Sequence, residues 1–148
     1  MNELELIAEN IKNKNLDKAL KLCELNTNSN NKTIIFNFIG VINFIKKDLV
    51  KAEKNFLNAI KIDDKFQDPI RNLCVIYTNT KEFDKLLNFS IKLYKLDKSN
   101  PLNIFQIGSA NELNKNYDDA IKYYDEFINT NGSDKKRGFN NIGNIYLR

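Results

Sequence analysis

Any chemistry in this chain would have to come from a short set of residues: Cys23, Cys74 and the adjacent carboxylate pairs Asp63-Asp64 and Asp118-Asp119. Histidine is absent, which removes the commonest general base and the commonest zinc ligand. The two cysteines lie far apart with no partner motif, and both fall on helical apolar faces. They read as core thiols, not as a bridge or a ligand pair. Adjacent carboxylates on a helix point in different directions and cannot converge on one substrate. Asp118-Asp119 instead suits a helix N-terminus, where negative charge offsets the macrodipole. Neither Gly-x-x-x-x-Gly-Lys-Ser/Thr nor Gly-x-Gly-x-x-Gly occurs, so no phosphate-cradling loop is expected. The residues point to no catalytic site, no metal site and no cofactor, and hence to a protein that is not an enzyme.

Composition says what must hold such residues in place. The chain has 148 residues, 42% of them hydrophobic, enough for the core of one domain of ordinary size. Only two prolines and five glycines are present, which favours long helices over a turn-rich β fold. Asparagines are abundant but interleaved with regularly spaced apolar residues, so disorder is the weaker reading. The net charge of +4 is modest and the lysines are spread along the chain. A nucleic-acid binder concentrates its basic residues, and the one dense cluster, Lys135-Lys136-Arg137, reads as a solvated helix start. No nucleic-acid partner is expected. No apolar run approaches the ~18 residues of a membrane span, and Met1-Asn2-Glu3-Leu4-Glu5 has no basic n-region of a signal peptide. These features imply a cytoplasmic protein without membrane contact.

Sliding the chain against itself by 34 residues brings three segments into register. Phe36, Ile70 and Ile104 share a column, as do Ile39, Leu73 and Ile107. The small residues Gly40, Cys74 and Gly108 follow. Leu49, Phe83 and Tyr117 form a later column, and Ala52, Leu86 and Ala120 the next. Within each segment apolar residues recur at helical spacing. A period of 34 with two such helical patterns per unit describes a helix–turn–helix repeat.

The segment from Thr33 to about Phe66, with Phe36-x-x-Ile39-Gly40 and Ala52-x-x-x-Phe56-x-x-Ala59, resembles a tetratricopeptide repeat (TPR). Pro101 to about Asp134 adds Ile107-Gly108, Tyr117-Asp118-Asp119-Ala120 and Tyr124. Gln67 to Asn100 keeps Tyr77 and Phe83-Asp84 but places Leu86 and Leu93 where the family prefers alanine. Ile7-Ala8 with Leu16-Asp17-Lys18-Ala19 reads as a first repeat lacking one residue in its turn. Phe139-x-x-Ile142-Gly143-x-x-Tyr146 reads as a last first-helix displaced by one residue. The resemblance implies an all-α, right-handed α-solenoid of antiparallel helix pairs, a TPR-like superhelix of about nine helices. It would be a single domain over 1–148, with repeats of about 1–32, 33–66, 67–100 and 101–134 and a lone first helix at 135–148. Gly40 and Gly108 should lie at close helix contacts, each facing the alanine twelve residues later.

In this family the first helices line a concave groove that contacts ligand. Carried onto this chain, the groove positions are Asn37, Phe38, Val41 and Phe44, then Arg71, Asn72, Val75 and Asn79. Phe105, Gln106, Ser109 and Glu112 follow, and Arg137, Asn140, Asn141 and Asn144 complete the set. The resemblance implies a scaffold that binds a peptide or partner protein there, since amides can pair with peptide backbone and arginine can hold a carboxylate. Arg71, Gln106, Arg137 and Asn141 partly match the family's clamp for a C-terminal carboxylate. Val75 stands where that clamp needs asparagine, and Asn141 where it needs a basic residue. Two alternatives stay open: a module that self-assembles, and the non-catalytic TPR part of a larger enzyme. Ile145, Tyr146 and Leu147 cannot all point inward. The last helix is therefore expected either to dock on another molecule, as in self-association, or to be followed by more chain.

Overall fold

The computed structural model describes residues 2–148. Among these there are nine α-helices and no strand: α1 (Glu3–Lys12), α2 (Leu16–Leu25), α3 (Lys32–Ile45), α4 (Leu49–Ile62), α5 (Gln67–Thr80), α6 (Phe83–Leu96), α7 (Pro101–Leu113), α8 (Tyr117–Asn129) and α9 (Lys135–Tyr146). Side-chain caps set several of the starts. Asn2 and Glu5 form a reciprocal capping box, each side chain accepting the other's backbone N–H at 2.9 Å. Asp48, Asn100 and Asp134 accept first-turn N–H groups from Lys51, Leu102 and Arg137, which satisfies donors that have no partner within the helix. Pro101 opens α7, where its missing N–H costs nothing. Asp118 and Asp119 fall in the first turn of α8, as expected. The polar stretch Asn26–Asn31 separates α2 from α3. No helix is long and apolar enough to cross a membrane among the described residues.

One turn geometry recurs four times. Lys14, Lys47, Lys81 and Lys115 adopt φ of 59–64°, the left-handed region that glycine usually supplies. In each turn the lysine N–H donates to the carbonyl three residues back, at Ile11, Phe44, Thr78 and Glu112. The next N–H (Asn15, Asp48, Glu82, Asn116) donates five residues back at 2.8–3.0 Å. This is the Schellman motif, which satisfies the last carbonyls of a helix. Three of the carbonyls at its far end belong to buried asparagines, Asn10, Asn43 and Asn111. Their side chains donate to the carbonyls of Leu6, Ile39 and Ile107 at 2.8, 2.8 and 2.9 Å. The amide thus has its own partner, as a buried polar group requires.

The chain divides into two compact units, one up to Ile76 and one from Tyr77 onward. In the N-terminal unit α1 packs on α2, α2 on α3, and α3 on α4. Linkers of a few residues between touching helices force antiparallel pairs. Its core comprises Ile7, Ala19, Cys23, Ile35, Ile39 and Ile42. The first repeat is one residue short, but not in its turn. Lys14, Asn10 and Ala19 each stand 33 residues before Lys47, Asn43 and Ala52, so the shortening lies in Asn26–Asn31. Ile7, which is buried, therefore takes the position of Gly40, and Ala8 is exposed.

In the C-terminal unit α6 packs on α7, α7 on α8, and α8 on α9. Ala120, Tyr124 and Ile145 are buried together, with Phe105, Tyr117, Ile121 and Ile142 against them. The last helix does not follow the displaced register read from Phe139 and Gly143. Phe139 and Tyr146 are exposed, and a Cβ on Gly143 would meet nothing within 4 Å. The residues that face inward are Gly138, closest to Ile128 and Phe127, and Ile145. The undisplaced 34-residue register holds because Asp134 caps α9 at the position where Asn100 caps α7. Cys23 and Cys74 are both buried. Burial, then the Glu24 charge, pushes the Cys23 thiol up to about 12.

Candidate functional site

The candidate residues divide between the two units and form two clusters of opposite chemistry. In the N-terminal unit α3 and α5 present Val41, Phe44, Asn72 and Val75 around a hollow of about 70 Å³, floored by the buried ring of Phe56. Gly40 lets that ring lie directly against α3, because a Cβ there would overlap it. The aromatic edge so placed turns an ordinary helix contact into an apolar recess. Asn72 is half-buried at its lip and donates from Nδ2 to Asn37 Oδ1 at 3.1 Å. Asn72 Oδ1 and one amide hydrogen remain to pair with a second group.

Two expectations for this cluster need correction. Asn37, read as an exposed groove residue, is only 6% exposed and is held by Asn72. Phe38 is half-buried and packs on the core of the first repeats, which leaves only part of its ring for a ligand. Arg71 is half-buried, with its guanidinium 2.7 Å from Gln67 Oε1 and 3.9 Å from the Asp68 carboxylate on its own helix.

In the C-terminal unit α7, α8 and α9 build a polar cluster. The buried Tyr124 hydroxyl donates to Glu112 Oε2 at 2.8 Å and lies 3.2 Å from Ser109 Oγ. The Asn141 side chain also bonds to that hydroxyl. Burial pushes the phenol up to about 12; the Ser109 bond opposes this, and Glu112 adds to it. The Arg148 guanidinium closes the cluster, 2.8 Å from Glu112 Oε1. Beside it the exposed Arg137 stacks its guanidinium 3.7 Å from the centroid of Phe105, a cation–π contact. Phe105 itself meets the rings of Tyr124 and Phe127 at 5.4 and 5.1 Å. Gln106 is half-buried, and Asn140 and Asn144 are exposed.

The two clusters occupy equivalent places in the repeat. Two periods, 68 residues, carry Val41 to Ser109, Phe44 to Glu112, Phe56 to Tyr124 and Val75 to Gly143. The same helix positions are apolar in one unit and polar in the other. Tyr124 and Arg148 were missed as members of this cluster in the sequence. The 34-residue register could have found Tyr124, which stands where Phe56 does. Nothing in the spacing foretells Arg148.

Solved structures settle the architecture. Crystal structures of MamA, a TPR-like helical-repeat protein, superpose with TM-scores of 0.73, 0.74 and 0.78. The fold is TPR-like. In the superposition scoring 0.78, 98% of this chain overlies 79% of MamA at 14% identity. The other two overlie 85% of this chain on 69% and 74% of MamA, each at 19% identity. At such identities the likeness concerns the fold alone. No protein-family model matches the sequence, and no curated protein matches it either.

Proposed function

We propose that this protein is an interaction module that holds a peptide segment of a partner protein against its first-helix faces. The observation that carries this reading is the recess between Val41, Phe44, Phe56 and Val75, with the half-engaged Asn72 amide at its lip. An apolar ligand side chain fills the recess while Asn72 pairs with the peptide backbone beside it. Burying such a side chain is worth about 1.5–3 kcal/mol, roughly tenfold to a hundredfold in affinity. The test is selection from a random peptide library followed by titration against variants. Val75→Phe, which fills the recess from an exposed position, should weaken the enriched peptides by about tenfold or more. Enriched peptides that bind Val75→Phe and Phe44→Ala as tightly as the parent would show that the recess is not the site.

A second reading, self-association, is favoured by the surface of α9. Phe139 and Tyr146 on α9 and Leu147 just past its end are 60%, 73% and 87% exposed, an apolar surface open to a partner. The start of α9 carries exposed Lys135, Lys136 and Arg137, and α1 carries exposed Glu3, Glu5 and Glu9. Opposite charge on the first and last helices suits a head-to-tail contact between copies. Light scattering should then show mass rising with concentration in the parent and not in Tyr146→Lys. A parent protein that stays monomeric throughout would end this reading.

A further inference from the structure

The polar cluster of the C-terminal unit brings a carboxylate and an aromatic ring to one guanidinium. Glu112 is a carboxylate with only 15% of its side chain exposed. One of its oxygens is taken by the Tyr124 hydroxyl, a group wholly inside the unit. The other is met from outside by Arg148, whose side chain is 54% exposed and lies past the end of α9. The same guanidinium stands 5.9 Å from the centroid of the Tyr117 ring. A carboxylate and an aromatic face turned toward one planar cation are the two elements that recognise guanidinium groups.

We infer that Glu112 and Tyr117 form a seat for an arginine side chain of a partner peptide, and that Arg148 occupies this seat when no partner is bound. Three observations converge on it. The carboxylate is held in place by Tyr124, so its orientation does not depend on Arg148. Glu112 stands where Phe44 lines the apolar recess two repeats earlier, so the seat belongs to the same repeat position as that recess. Arg148 meets Glu112 at 2.8 Å from a place past the end of α9, with its side chain 54% exposed, so it can leave the carboxylate without repacking the core. The inference rests on the peptide-binding reading for its partner but not for the seat itself.

The probe is N-acetyl-arginine amide, titrated into the full chain and followed by NMR shifts of the Glu112 and Tyr117 amides, with N-acetyl-citrulline amide as the neutral isostere. Arg148→Ala should bind the arginine probe at least about twofold to fivefold more tightly than the parent, since a pair with one partly buried partner competes no less than an exposed one. Adding Glu112→Gln should abolish the shifts, and Tyr117→Leu, which keeps the carboxylate, should weaken them. The citrulline probe should produce none. Equal responses to arginine and citrulline in Arg148→Ala, or arginine shifts that survive Glu112→Gln, would overturn the seat. If the seat fails while Val75→Phe still abolishes library peptides, peptide binding stands without it. If the seat holds and no library peptide responds to Val75→Phe, the recess falls and the arginine site remains.

Discussion

Replacing Gly40 with leucine is expected to lower the stability of the protein by about 3 kcal/mol, the upper end for overpacking a core. A Cβ on Gly40 would overlap the Phe56 ring, its Cζ lying 2.9 Å away and two further ring carbons nearer still. Phe56 is 1% exposed, so its ring cannot simply swing out into solvent. The gain from removing a glycine inside a helix, about 1 kcal/mol, opposes this and is too small to reverse the sign. Chemical denaturation reads the effect as a lower midpoint with an unchanged slope. Adding Phe56→Ala supplies the control. That change alone costs about 3–5 kcal/mol, but in the Gly40→Leu background it should cost much less, since the added side chain fills the space the ring vacates. An unchanged midpoint for Gly40→Leu would remove the basis for the packing described here.

Asn103→Leu is the second large effect, at about 2 kcal/mol. Asn103 is wholly buried near the start of α7, and its amide donates to the carbonyls of Leu93 at 3.0 Å and Asp97 at 3.1 Å. Leucine has similar size but leaves the Asp97 carbonyl without that donor. Asn103→Asp should cost more than Asn103→Leu, because it places a carboxylate against two carbonyl oxygens. Thermal unfolding of the two variants compares them directly. An aspartate variant as stable as the parent would show that position 103 is not donating.

The helical repeat was legible because its signals are local and periodic. Gly40, Gly108, Ala52 and Ala120 announce close contacts by size alone, and the helices follow from apolar spacing. What each glycine faces was not legible. The expectation paired Gly40 and Gly108 with Ala52 and Ala120. The atoms that would meet a new Cβ are instead in the Phe56 and Tyr124 rings, one helical turn further on. The last helix misled in another way. Phe139, Ile142 and Gly143 imitate the first-helix signature, but the cap at Asp134 and the contact at Gly138 place α9 one residue away from it. The lysines of the four turns carry no hint of their left-handed backbone, since most lysines avoid it. For the candidate site, register alone placed Val41, Asn72, Val75 and Ser109 on α3, α5 and α7. It could not tell that Asn37 is consumed by Asn72 or that Arg71 turns toward Gln67 and Asp68. The first outcome depends on a neighbour from another helix, and the second on i−3 and i−4 partners within α5 that the repeat register does not weigh.

The exchange of volume between glycine and ring also bears on how such a chain can change over generations. Gly40 with Phe56 and Gly108 with Tyr124 are each expected to change only as a pair, because a Cβ on the glycine would overlap the ring. Shrinking the ring first opens a void in the core. Either order passes through a less stable intermediate, so these pairs drift only when the rest of the fold can absorb a transient loss of several kcal/mol. The surrounding first-helix surface is coupled to the same ring by polarity: Ser109 and Glu112 meet the hydroxyl that Tyr124 carries and Phe56 lacks. Valine at 41 answers to serine at 109, and phenylalanine at 44 to glutamate at 112, exchanges that accompany the change from Phe56 to Tyr124. One repeat position therefore lines an apolar recess in one copy and holds a hydrogen-bonded carboxylate in another.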